Sequence, residues 1–595
     1  TTASNLTLTG ATLRYTGPTG STNRNFVLSG ATTGTIEITQ PDASLTISGA
    51  STSTTGALTK LGPGALVLSG ANLYSGATTI SAGTLGYGVA NALGAGDVAV
   101  EDGGTYDLNG FSDTIDGLVV NSGATGGTVT TGAGTLTLGS NVSSTGGATN
   151  ASISGNLALG GSTRTFTVTN AADGLDVSAV ISGTVGLTKA GAGTLTLSGD
   201  NTYTGATTVN TGIVSVASLA DGGTASNIGA STTTASNLTL GGGTLQYTGP
   251  SAGTDRNFVL SGGTTSSLEV TGAGSTLSIS GASTSTSGAL VKRGSGTLTF
   301  SGSNLHTGST TVTAGTLLVN GTQSSSAVSL NGGTLGGTGT VASVTSTASG
   351  GTVAPGAGPG ILNSGGVNWS SGSPVFQVEL NGTTAGADYD QLIVTGTVNL
   401  TGSSFSGTVG YSPTAGQTFT IVSNDGSDAV TGTFAGLAQG VGLAIGGFNF
   451  TISYTGGTGN DVVLTCTGTP VIAADASVAP PGAQPPGTDL TYATAFTNSG
   501  SGSAQSIVVT DSLPGYADFK VGSVTSDLGS TGLTVVVSYS DDGGGTWTYV
   551  PASGNGGAPS GYDRLVTHIR WIFTGSLSQT PPANSGSVGF TARIR

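Results

Sequence analysis

The sequence predicts an all-β protein. It reads as a right-handed parallel β-helix (a β-solenoid) over residues 1–467, a linker at 468–488, and a β-sandwich over 489–595. Three observations lead there: a long ungapped internal repeat, a nested unit of short alternating strands, and the lack of any 3.6-residue apolar stripe that would build a helix.

The repeat comes first in the argument. Residues 2–85 recur at 234–317 with a constant offset of 232, as the pairs Tyr15/Tyr247, Arg24/Arg256, Lys60/Lys292 and Leu85/Leu317 illustrate. An ungapped match demands equal coil lengths in both copies, because one additional residue exchanges the inward and outward sides of a strand. A shorter unit is nested inside: GPGALVLSGANLYSGATTISAGTL (62–85), GAGTLTLSGDNTYTGATTVNTGIVSV (191–216) and GSGTLTFSGSNLHTGSTTVTAGTLLV (294–319). Each holds three short β runs, such as Thr194–Leu197, Thr207–Val209 and Ile213–Val216. Leu195 and Leu197 alternate with Thr194 and Thr196, the period of a strand buried on one side. Glycine, Ser, Asn and Asp separate the runs, and glycine supplies the positive φ that a corner requires. Coils of about 20–25 residues give roughly 20 turns and a rod on the order of 100 Å.

The linker is read from clustered Pro and Ala in GTPVIAADASVAPPGAQPPGT (468–488). Beyond it, alternation at Leu490/Tyr492 and Ile507/Val509 precedes a sharp Asp-Ser-Leu-Pro corner at 511–514. About 110 residues with several such runs fit an immunoglobulin-like sandwich.

Composition excludes several functions. Of 595 residues only 7% are charged, and Asp+Glu outnumber Lys+Arg by 28 to 13, a net charge of −15. No basic surface exists to neutralise a run of phosphates, so nucleic acid is not a partner. Two histidines and one cysteine exclude a disulfide framework and a Cys/His zinc site. No apolar run approaches the roughly 18 residues of a membrane span. There is no methionine, no apolar leader and hardly any Cys or Lys, so the chain is expected to be exported, extracellular or on a bacterial cell surface, with its leader removed.

The units at 62–85, 191–216 and 294–319 resemble the autotransporter-associated β-strand repeat (PATR-like passenger) of large bacterial surface proteins. GGTLGGTGTVASV (332–344) and TISYTGGTGNDVVLT (451–465) resemble the way such passengers end. The resemblance implies a secreted β-helical stalk or adhesin and brings no catalytic residues. The outer-membrane barrel of that family has no counterpart in this sequence, so self-translocation by this chain alone is not expected. Residues 475–595, with Asn498, Gly500, Asp511 and Pro514, resemble an Ig-like repeat domain of bacterial and archaeal surface proteins. That resemblance implies a spacer or assembly module. Within it Ser540, Asp542, Gly544, Thr546 and Trp547 match an Asp-box, read as a structural hairpin in which Asp542 accepts backbone N–H bonds and Trp547 packs beneath.

An enzyme on a β-helix needs carboxylates converging beside a Lys or Arg. The candidates are Asp97/Glu101/Asp102/Asp107, Asp113/Asp116 and Asp173/Asp176, the last lying between Arg164 and Lys189 in sequence. All are read as solvating turn residues, as are Asp388 and Asp390, and the RTX period that would mark Asp425 and Asp428 as a Ca²⁺ site is missing. His306 stands where Tyr74 and Tyr203 stand in the sister units and is read as a turn-side aromatic; His568 lies in an alternating run at 565–573. Cys466 is read as a small buried hydrophobe and Lys520 as a remote isopeptide candidate. No catalytic residue, cofactor or metal is expected.

The main functional expectation is a non-enzymatic protein that assembles head-to-tail with copies of itself into a filament, sheath or layer. Its interface would join the first coil (Thr1, Thr2, Leu6, Leu8) to the terminal strand (Ala592, Arg593, Ile594, Arg595) by strand addition. The alternative is a monomeric adhesin stalk whose partners are cell-surface or matrix glycans, and a polysaccharide-acting β-helix enzyme is the minor alternative.

Overall fold

The structure, a computed structural model, describes residues 2 and 5–595. It falls into two compact units, one built from the chain up to Gln377 with Leu392–Ser404, the other from Val378–Gln391 and Phe405–Arg595. Thr1 of the expected interface lies outside the described residues.

The first unit is a parallel β-solenoid, and the stack comprises about 16 turns. Helix is confined to short 3-10 turns such as Ala235–Asn237. Alternation in sequence becomes alternation in burial. Leu45, Leu66, Leu85 and Tyr106 pair in register coil upon coil, all buried, as do Leu175, Leu195, Val214 and Leu245 further along. Each such Leu contributes about 1.5–3 kcal/mol of transfer free energy, and the residues between them face outward. Coils are more uneven than expected: in-register partners are 19 residues apart at Leu195/Val214, 31 at Val214/Leu245 and 16 at Val328/Val344.

The long coil has a topological effect. Thr12–Tyr15 begins a column that runs through Ala57–Leu61, Leu187–Ala190 and Thr207–Val209 to Leu238–Leu240. Its copy at offset 232, Thr244–Tyr247, lies in the neighbouring column, stacked on Ile213–Val216. After the loop at 217–237 the repeat therefore resumes one column further around the axis. Equal coil lengths within each copy are compatible with this step, since it arises between the copies.

Parallel stacking does not continue to 467. Val367–Asn368 and Val398–Asn399 still pair in parallel, and Ser404–Val409 lies beside Val375–Leu380. Thr418–Asn424, Asp461–Gly468, Phe448–Gly456 and Gly442–Ile445 then pair antiparallel in that order. The tight turn at 457–459, with Gly457 and Gly459 at φ 53° and 112°, sends the chain straight back instead of around a coil. Cys466 is buried on one of these antiparallel strands. This switch is one reason the solenoid has fewer turns than the roughly 20 expected.

The C-terminal part of the second unit has two main antiparallel sheets and a short two-stranded one, Ala504–Gln505 with Ser576–Leu577. In the larger, strands Ile472–Ala479, Asp489–Asn498, Ser585–Ile594, Ala517–Lys520 and Tyr562–Asp563 lie side by side, with Thr525–Asp527 also on Ser585–Ile594. In the smaller, His568–Thr574 lies between Val508–Ser512 and Thr534–Ser540. Phe496, Phe519 and Phe590 of the first pack with Ile569, Trp571 and Phe573 of the second, Phe496 and Phe573 at 5.1 Å between ring centroids. The segment read as a linker holds an edge strand, Ile472–Ala479, paired with 491–498 along its length. The run before Pro480 has no proline to interrupt the ladder.

Candidate functional site

The side chains that sequence reasoning passed over are the buried lysines. Lys60, Lys189 and Lys292 each stand two residues ahead of a nested unit, and all three are 0% exposed. Each is in phase with an inward Leu two residues earlier (Leu58, Leu187, Leu290), so strand alternation itself points the lysine into the core. Lys60 Nζ donates to the carbonyls of Leu61, Gly62 and Ala82 at 3.0, 2.7 and 3.1 Å. Lys189 does the same to Ala190, Gly191 and Thr211, and Lys292 to Arg293, Gly294 and Ala314. The corner glycines have φ 75°, 77° and 73°, and a Cβ there would meet the carbonyl oxygen of the coil beneath at 2.2 Å or less. Glycine turns the corner, and the ammonium gathers the carbonyls that the corner frees. Burial pushes each ammonium down to about 8. The in-phase Leu and the threefold recurrence were the signals in sequence.

His306 is buried inside the solenoid, not beside a turn. Its Nε2 contacts Thr310 Oγ1 at 3.0 Å and its Nδ1 contacts Ser283 Oγ at 3.0 Å. Tyr74 and Tyr203 make the matching hydroxyl contact with Thr78 and Thr207, both at 2.7 Å. Burial holds His306 at about 4.

The carboxylates do not converge on a Lys or Arg. Asp102 accepts the N–H groups of Ala124, Thr125 and Gly126, and these bonds hold it at about 2. Asp97 accepts from Gly117, Glu101 from Asn121 and Asp107 from Asn109. Asp113 is buried against the Tyr87 hydroxyl, and desolvation raises its pKa. Asp173 accepts from Gly146 and Asn170, and Asp176 from Asn150, while Arg164 donates to the carbonyls of Leu138 and Leu159. Asp388 accepts the N–H of Thr384, and Asp390 that of Glu379. Asn460 binds Asp425 and Asp428 through their main-chain carbonyls. Among the described residues no group of three or more His, Cys, Asp or Glu is arranged to hold a metal.

The expected interface ends differ from one another. In the first coil Thr2 is exposed, Leu6 half-buried and Leu8 buried, paired to Leu28. The terminal residues are not a free strand. Ala592 pairs with Leu490 on one side and Phe519 on the other. Arg593 bonds Asp489 at 2.7 Å, Arg595 bonds Asp518 at 2.9 Å, and the Ile594 N–H donates to Thr488. This strand is thus paired on both sides within the sheet.

The Asp-box residues sit on the turn between the bridged Tyr539 and Tyr549. Asp542 accepts from Ser540 Oγ at 2.6 Å and from Thr546 N and Oγ1 at 2.9 Å, and Gly544 N donates to Ser540 Oγ. The turn lays Trp547 against the outer face of the three-stranded sheet, where Arg570 stands 4.3 Å from the ring centroid. In that sheet Val508, Ile572 and Val536 lie directly across from one another, with the two valines 52% and 65% exposed. An apolar row beside a cation on an indole is the candidate contact face of this unit. Lys520 forms an ion pair with Asp489 at 2.9 Å.

Comparison with known proteins fits the repeated corners. The passenger-associated-transport-repeat family matches at residues 58–86, 187–216 and 290–319, the three units that carry the lysines. The chain carries three passenger-transport repeats. It is also 34% identical over 318 residues to the adhesin BmaC autotransporter of Brucella suis biovar 1 (strain 1330), an alignment covering 53% of this chain and 8% of that protein. The chain is thus similar to autotransporter passengers in its repeats, and no helix among its described residues is long and apolar enough to cross a membrane.

Proposed function

We propose that this chain is an adhesin-like passenger segment of the bacterial cell surface, a β-solenoid stalk followed by an Ig-like spacer. The observation that carries the reading is the coincidence of three passenger-transport repeats with similarity to a named adhesin. The interior placement of the terminal strand favours the stalk over the head-to-tail filament, since strand donation from that end would require unpairing both of its neighbours. The two sheets around the Phe496–Trp571 core support the Ig-like assignment. Adhesive contact is assigned to the Val508–Ile572–Val536 row and the neighbouring Arg570–Trp547 pair, with cell-surface or matrix glycans as the partner class.

Beads coated with the purified chain, applied to cultured epithelial cells and to a glycan array, test this. Retention well above albumin-coated beads, reduced several-fold by Val508→Asp with Val536→Asp, supports the reading. Retention equal to albumin on every surface overturns it.

A further inference from the structure

The third repeat departs from its sisters at one interior hydroxyl. Thr78 and Thr207 each meet a tyrosine, Tyr74 and Tyr203, at 2.7 Å. The matching Thr310 Oγ1 meets His306 Nε2 at 3.0 Å, and the same oxygen receives the side-chain amide of Gln323 at 3.0 Å. Strand alternation explains the meeting. Thr310 opens the strand Thr310–Val312 with an inward residue, and in Thr322–Gln323 the threonine faces out and the glutamine in. Ser303 bridges to Thr322, which sets this glutamine one coil further along the stack. His306, Thr310 and Gln323 are all 0% exposed.

The three side chains are a base, a nucleophile and an electrophile. Ser283 Oγ lies 3.0 Å from His306 Nδ1 and accepts the Leu305 N–H at 3.0 Å. A ring that donates from Nδ1 to Ser283 turns the lone pair of Nε2 to the Thr310 hydroxyl, and burial keeps that ring neutral at about 4. Ser326 Oγ is 3.1 Å from Thr310 Oγ1, but it donates to Gly308 O at 2.7 Å and meets no base among the described residues. The far side of the carboxamide is unmatched: Gln323 Oε1 is buried and meets no hydrogen-bond donor among the described residues. Asn304 Nδ2 is likewise buried without a partner, while the Asn304 N–H donates to Thr322 O beside Gln323. Its counterparts Asn72 and Asn201 give their amide groups to main-chain carbonyls. Asn304 is therefore the amide donor at hand for negative charge growing on Oε1.

We infer that Thr310 and Gln323 join in an ester that staples one coil to the next. Thr310 Oγ1 attacks Gln323 Cδ, which is one bond beyond the nitrogen it touches, as His306 Nε2 takes the hydroxyl proton. The tetrahedral intermediate collapses with the new C–O bond kept and the Cδ–Nε2 bond broken. His306 hands the proton to the departing nitrogen, which leaves as ammonia, and the ring ends as it began. No oxidant, metal or co-reactant enters. Burial of all three side chains then shields the ester from hydrolysis. The inference rests on this interior cluster and goes beyond the adhesive reading.

The test is the intact mass of the purified full chain in denaturant. One ammonia should be missing, a deficit of about 17 Da from the sequence mass. Chymotryptic cleavage after Leu318 should leave the peptides holding Thr310 and Gln323 joined, and hydroxylamine should part them. Thr310→Ser should keep the link. His306→Tyr, the residue type of the sister repeats, and Thr310→Val should each restore the full mass. The full sequence mass in the unaltered chain, after days at neutral pH, overturns the proposal. A deficit that survives Thr310→Val also overturns it, and gives the loss to an Asn-Gly succinimide or to Ser326. Peptide mapping of the unaltered chain decides the matter even where a variant does not fold: a joined pair at 310 and 323 supports the ester, and separate peptides overturn it.

Discussion

The solenoid and the C-terminal sheets use their few cations in opposite ways. In the solenoid Lys60, Lys189, Lys292, Arg164 and Arg256 are buried and bond main-chain carbonyls. In the C-terminal sheets Lys520 and Arg593 share Asp489, and Arg564 and Arg595 share Asp518. The difference follows from backbone accounting. An antiparallel sheet satisfies its own carbonyls along each ladder, leaving cations to pair with acids at the surface. A coil that turns a corner at a glycine frees two or three carbonyls into the interior, where a buried donor must meet them. These five buried cations are therefore part of the backbone's hydrogen bonding, and a change of charge there acts as a change of fold, whereas the exposed Arg14 pairs with Glu37 as the C-terminal cations pair with acids.

The largest expected effect tests this directly. Lys189→Met keeps most of the stem and removes the donor, taking the ammonium from the carbonyls of Ala190 and Thr211 and leaving Gly191 O only the 3.3 Å bond from Thr211 Oγ1. A loss of about 4 kcal/mol in local stability is expected, read as faster amide exchange around 190–212 with the C-terminal sheets unaffected.

Acidification should separate the two regions next. Held at about 4, His306 lies below its unfolded value, so the unfolded chain binds the proton first. Its contribution is complete above pH 6.5 and is lost as pH falls toward 4, about 3 kcal/mol over the window. His306→Tyr, the residue type of the sister repeats, should abolish that loss, measured by exchange around 306–312 from pH 7 to 4. Asp489 resists further: burial pushes it up, but Lys520, Tyr562 and Arg593 outweigh burial and hold it at about 2. The ion pairs of Asp489 should thus persist at pH 4 and fail only as pH falls through about 2, which circular dichroism on a pH series would resolve.

A smaller effect is expected from Asp518→Asn, which replaces a buried carboxylate serving two arginines by a neutral amide. The arginines are partly in water, so about 1.5 kcal/mol by denaturant titration is expected. Asp542→Ala should be the mildest. It frees the turn that carries Trp547, changing tryptophan fluorescence without shifting the unfolding midpoint measurably.

Much of the fold was legible because strand burial repeats with period two. Leu195 and Leu197 lie inside and Thr194 and Thr196 toward solvent, as alternation says. The same rule puts Lys60 inside, in phase with Leu58. The segment 468–488 reads as a linker from its clustered Pro and Ala, and the strand Ile472–Ala479 lies within it. Strand order is the part alternation does not encode: Ser585–Ile594 reads alike at an edge or in the middle of a sheet, and only long-range pairing to Asp489–Asn498 and Ala517–Lys520 decides.

The one-column step at 217–237 bears on valency. Leu73 and Leu305, an equivalent pair left exposed at 61% and 48%, do not fall on one side of the stack, because the second copy is turned by a column relative to the first. A flat partner that docks on one copy is not presented with the other, so duplication here doubles the number of facets without making the surface bivalent.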